Sequence, residues 1–84
     1  MREIVYWIAT DESEIHYIDG VISAYDGVAN VRREFRLKDG QTQYRVFVAP
    51  GMEDEFLDII ARLRQTAKIE AVIREDDDAP PPTL

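Results

Sequence analysis

A chain of 84 residues, 45% hydrophobic and 32% charged with a formal charge of −7, is sized for one compact domain near the lower end of what folds without covalent staples. It has no cysteine and a single histidine, His16, which excludes disulfide scaffolds, thiolate metal sites, cysteine nucleophiles and multi-histidine cages within one chain. No apolar stretch approaches the roughly 20 residues needed to cross a bilayer, no signal-peptide pattern opens the chain, and the acidic balance opposes avid nucleic-acid binding; the expectation is a cytoplasmic, non-enzymatic protein with no membrane partner, no metal and no cofactor.

EIVYWIA, residues 3–9, is β-branched and aromatic, and short enough for a strand with both faces at least partly covered. Thr10 or Asp11 can cap a helix, and Asp11, Glu12 and Glu14 suit the positive end of its dipole. Ile15, Ile18, Ile22 and Tyr25, with Val21 beside them, form one helical stripe, and Gly27 is placed to end it in the left-handed conformation. His16 falls on the polar side of that helix with Gly20 and Ser23, where a solvated role is expected.

The spacing predicts a second strand over 28–37 and a third over 42–49, joined by Lys38-Asp39-Gly40-Gln41. Asp-Gly between two β-rich runs is a strong hairpin signal, because a type I′ turn needs positive φ at both central residues. Pro50-Gly51 stops the third strand. Acids return at Glu53, Asp54 and Glu55, and Met52, Phe56, Ile59, Ile60 and Leu63 keep helical spacing. KIEAVIR, residues 68–74, reads as a fourth strand. EDDDAPPPTL, residues 75–84, then switches to acids and prolines and reads as a disordered tail. The domain therefore spans 1–74, where ten basic residues face thirteen acids.

The order β-α-β-β-α-β is the split βαβ pattern of an α+β, ferredoxin-like two-layer sandwich: a four-stranded antiparallel sheet with two helices on one face. With Asp39-Gly40 as the hairpin loop, the register pairs Leu37 with Thr42, Phe35 with Tyr44, Arg33 with Val46 and Val31 with Val48 on the helix side. Arg33 is the exception there, its stem free to snorkel from an edge strand. The opposite face pairs Arg36 with Gln43, Glu34 with Arg45 and Arg32 with Phe47.

Carried to the other strands, the alternation sends Ile4, Tyr6, Ile8, Ile69, Ala71 and Ile73 under the helices. Val5, Trp7, Phe47 and Val72 become the hydrophobic centre of an open sheet face, ringed by Arg32, Arg36, Arg45 and Arg74 with Glu34 and Glu70. An exposed tryptophan and phenylalanine within a charged rim is the layout of an association or docking surface. Stacking on a second copy is the plainest use of it, since small domains gain stability that way. Aromatics on central strands of this topology also superficially match a single-stranded RNA platform, which the acidic balance and the poor match of YRVFVAPG to the RNA-contacting signature oppose.

The order of elements and YDGVANVR, residues 25–32, resemble ACT domains, small regulatory modules that pair side by side and bind amino acids or other small molecules at the dimer interface. IDGVISAYDGVANVR together with VFVAPG more closely resembles a family of short bacterial domains of unknown function with an ACT-like fold, over residues 3 to about 66. The resemblance implies a homodimer with a small-molecule effector such as an amino acid or nucleotide, which would lie near Asp11, Ser13 and Asn30; a protein partner is what the open sheet face would dock. The loop after the first strand, Thr10-Asp11-Glu12-Ser13, departs from the family in having no glycine to open that pocket.

Overall fold

The computed structural model describes residues 4–78, in the order β1 (Ile4–Ala9), α1 (Glu12–Ser23), β2 (Ala29–Lys38), β3 (Gln41–Val48), α2 (Glu53–Leu63), β4 (Ala71–Arg74) and α3 (Glu75–Asp78). The four strands form one antiparallel sheet ordered β2-β3-β1-β4. With α1 and α2 packed against it, this is the α+β ferredoxin-like sandwich. Glu3 and residues 79–84 of the expected tail lie outside the described residues.

The core is what the two helical stripes and the alternating strands require. Ile15, Ile18 and Ile22 of α1 and Phe56, Ile59, Ile60 and Leu63 of α2 meet Tyr6, Ile8, Tyr44, Val46 and Val48 of the central strands. Burial of such side chains contributes about 1.5–3 kcal/mol each before entropy is set against it. Phe56 packs on Tyr6 with ring centroids 5.0 Å apart. No helix among the described residues is long and apolar enough to cross a membrane.

Local rules account for the boundaries. Asp39 and Gly40 both have positive φ, 53° and 76°, as the type I′ hairpin turn demands. Helix α1 ends at Ser23, before Gly27, whose φ of 75° instead turns the chain from the helix into β2.

Three strand details differ from expectation. First, the hairpin register holds only from Phe35 to Gln41; beyond it Val31 pairs with Val46 and Ala29 with Val48, so Arg32, Arg33 and Glu34 together oppose Arg45. This wide bulge keeps the parity of β2, because two extra residues restore each side chain to its face. It also lets Arg33 turn to α1, where it donates to His16 Nδ1 (3.1 Å) and lies 3.4 Å from Asp19, while Arg32 and Glu34 stay on the opposite face.

Second, β4 is inverted. Val72 pairs with Ile8 and Arg74 with Tyr6, both helix-side positions, whereas Ile73 pairs with Trp7 and Ala71 with Ala9. Ile69 reaches the core from the connection before β4 and not from within the strand, so the period of two cannot be counted from it. Third, the first four residues of the expected disordered tail, Glu75–Asp78, make one helical turn.

Candidate interaction surface

The open sheet face is built from all four strands around Trp7, with Ile73 of β4 facing it on one side and Arg45 of β3 on the other. The indole is 6% exposed, so the expectation of an exposed tryptophan does not hold. Its cover comes from the arginines expected to ring it. The Arg36 guanidinium carbon stands 4.1 Å from the Trp7 ring centroid, and that of Arg45 stands 5.4 Å away. Arg36 Nε also donates to Gln43 Oε1 at 2.8 Å, which satisfies a glutamine 2% exposed. At the other margin the indole N–H donates to Glu75 Oε1 at 3.2 Å.

Phe47, half-buried, lies under Arg32 at 5.5 Å and Arg45 at 5.6 Å. Glu34 ties the two arginines together, 3.6 Å from Arg32 Nε and 3.4 Å from Arg45 Nη1. Thus Val5, Trp7, Arg32, Glu34, Arg36, Arg45 and Phe47 do share one face. Val72 and Arg74 do not: Val72 packs against the core, and Arg74 Nε lies 3.0 Å from Glu53 of α2, whose carboxylate also accepts from the Tyr6 hydroxyl. Cation-π contacts of this kind, desolvated on one side, are worth about 1–2 kcal/mol each. They plate the tryptophan with charge, leaving it no free ring face on which a nucleotide base could stack.

The exposed apolar surface is elsewhere. Phe35 is 61% and Leu37 73% exposed, both on β2 near the hairpin turn and on the helix side, where they were expected to be covered. With two of its ten residues taken up in the bulge, β2 runs about 26 Å at ordinary strand rise and α1 about 18 Å, so the hairpin arm projects past the helix that should cover it. That length mismatch was the signal available in the sequence. Phe35 leans on Tyr44, ring centroids 6.0 Å apart, and the two line a cleft of about 260 Å³ with His16, Arg33, Glu12 and Thr42. Burial, followed by the negative charge of Glu12, raises the Tyr44 pKa above its ordinary value.

The residues expected to hold a small molecule are not brought together. Asn30 pairs with Phe47, which pairs with Val5, at one end of the sheet; Asp11 and Ser13 follow the opposite end of β1, about 20 Å away at strand rise. The turn at Asp11, just before Ser13 in the first turn of α1, is closed by Lys68. Its Nζ lies 3.5 Å from Asp11, its backbone N–H donates to Glu14 at 2.8 Å, and its carbonyl accepts from Thr10. The Lys68 pKa is raised, first by the Asp11 carboxylate and then by Glu70. No group of three or more metal-ligating side chains occurs among the described residues.

Compared with family models, curated proteins and solved structures, the chain matches none.

Proposed function

We propose that the chain is a non-enzymatic association domain that binds a second copy of itself, and that its sticky element is the projecting β2–β3 arm and not the centre of the open sheet face. The observation that carries this reading is the pair Phe35 and Leu37, exposed side by side on an edge strand. Edge strands present unpaired backbone groups and are commonly blunted by shortness or covered by other elements; β2 is ten residues long, and its Phe35 and Leu37 are exposed. The Arg36–Trp7 plate supports the same choice, since a centre already covered by guanidinium groups offers less apolar area to a partner. Sedimentation or light scattering of the wild type beside Leu37→Asn tests it: a wild-type dimer that the substitution weakens is the expected result, and a wild-type monomer at high micromolar concentration overturns it.

A second reading, small-molecule sensing in the manner of ACT-like domains, is favoured by the cleft between α1 and the hairpin. There Arg33 and His16 offer polar contacts opposite the Phe35 and Tyr44 rings. A thermal-shift screen of amino acids and nucleotides tests it, because a ligand that binds only the native state raises the melting temperature.

A further inference from the structure

The free edge of β2 has a direction and a charge order that select one mode of self-pairing. Asp39 and Gly40 form a two-residue hairpin loop, so Lys38 and Gln41 are its closing pair and Lys38 directs its backbone N–H and C=O inward to β3. Antiparallel alternation then turns the N–H and C=O of Leu37 and Phe35 to the free edge. The bulge between Val31 and Phe35 interrupts the regular edge on the other side, so the segment available for pairing is short, from Glu34 at the margin of the bulge to Lys38.

We propose that β2 pairs antiparallel with β2 of a second copy across a two-fold axis at Arg36, an inference that rests on the self-association read above. In this register Phe35 stands opposite Leu37 of the second copy, and Leu37 opposite its Phe35. Glu34 stands opposite Lys38, again twice over. Both apolar side chains are covered, and each acid meets a base. Moving the axis to Phe35 sets Glu34 against Arg36, but it also sets Arg32 against Lys38 and leaves Leu37 opposite Arg33; moving it to Leu37 sets Arg36 against Lys38 and Phe35 against Asp39. Like charges directly opposite are destabilising, so both shifts are worse. The central position sets Arg36 beside its own symmetry mate, yet each guanidinium is drawn away over the Trp7 of its own sheet and held by Gln43. The contact is isologous and therefore closes as a dimer. The other edge, β4, has four residues and passes straight into α3, which gives no comparable edge from which a fibre could grow. Leu37 of the second copy also comes to lie beside Phe35, at the rim of the cleft that Phe35, Tyr44, His16 and Arg33 line.

Sedimentation of the full chain with two charge reversals tests this. Glu34→Lys and Lys38→Glu each set like charges opposite one another, and each alone is expected to weaken the dimer about tenfold or more. An equimolar mixture of the two restores opposite charges at both positions and is expected to form a heterodimer at least as tight as the wild type. Because the chain has no cysteine, Arg36→Cys gives an independent readout: facing non-hydrogen-bonded residues have Cα atoms about 4.5 Å apart, within disulfide reach, so oxidation should yield a covalent dimer. A monomeric wild type overturns self-association itself. A dimeric wild type whose mixed variants bind no better than either alone leaves self-association standing and overturns this register, as does an R36C chain that resists oxidation while F35C cross-links.

Discussion

Arg36 lies over Trp7, 4.1 Å from guanidinium carbon to ring centroid, and on the way its Nε donates to the buried amide of Gln43. One long side chain on an edge strand thus spans the central strand beside it and seals the centre of the open face. The relationship makes the arginine a structural cover, where a sequence reading would place it as a rim charge for a partner.

Arg36→Ala removes the cover and leaves Gln43 without that donor. A cation-π contact of about 1 kcal/mol and a buried amide costing about 1–3 kcal/mol when unsatisfied predict a total loss of about 2–4 kcal/mol. Urea unfolding measures it, with a red shift of Trp7 emission as the indole meets water. Lysine at this position restores charge but not the planar stack or the Nε donor, and should recover only part of the loss.

Glu75→Ala tests whether the chain beyond β4 is fastened to the sheet. The indole N–H loses its acceptor, and the net value of one such bond is about 0.5–1.5 kcal/mol. A Trp7 emission spectrum that shifts while far-ultraviolet circular dichroism stays unchanged is the expected result.

Phe56→Ala empties the centre of the core, where the residue is 0% exposed and its ring is tilted against that of Tyr6. The expected cost is about 3–5 kcal/mol. For a domain of this size that is a large part of the total, about 4–13 kcal/mol by ordinary per-residue values, so calorimetry should find the variant unfolded or melting far below the wild type.

Alkaline pH should weaken the fold. Tyr44 and Lys68 hold their protons more tightly in the folded chain than in the unfolded one. Stability from these groups is therefore full below their ordinary values of 10.0 and 10.5 and is lost as pH rises above them. Denaturation midpoints at about pH 8 and about pH 11 give the wild-type decline, and Tyr44→Phe should show a smaller one.

Gly40→Ala places a Cβ on a backbone with φ of 76°. No neighbour lies within contact of that Cβ, so the cost is the left-handed conformation alone, about 1 kcal/mol. Equal losses for alanine and for bulkier unbranched residues at this position would agree with that, measured by urea unfolding.

Much of this molecule is legible in its residues. Alternation in IVYWIA, the isoleucine stripe of α1 and the Asp39-Gly40 turn are local signals, each set by a period or a φ requirement that neighbours in the chain satisfy together. They were enough for the order of elements, the ferredoxin-like sheet and the contacts Arg32–Phe47, Glu34–Arg45 and Arg36–Gln43. Arg36–Gln43 lies where the hairpin register holds, and the other two survive the bulge in β2 because arginine and glutamate side chains are long enough to absorb a shifted backbone.

What tertiary structure decided depends on distances between elements. Trp7 carries no local mark of burial; its cover depends on where Arg36 and Glu75 fall once four strands are side by side. Phe35 and Leu37 alternate as core residues do, and stay exposed because β2 extends past α1. Val72 and Arg74 face the helices because Ile69 enters the core before the strand begins, which breaks the count of two that sequence reading relies on. Periodicity determined which residues alternate; the lengths and offsets of the packed elements determined which of them meet water.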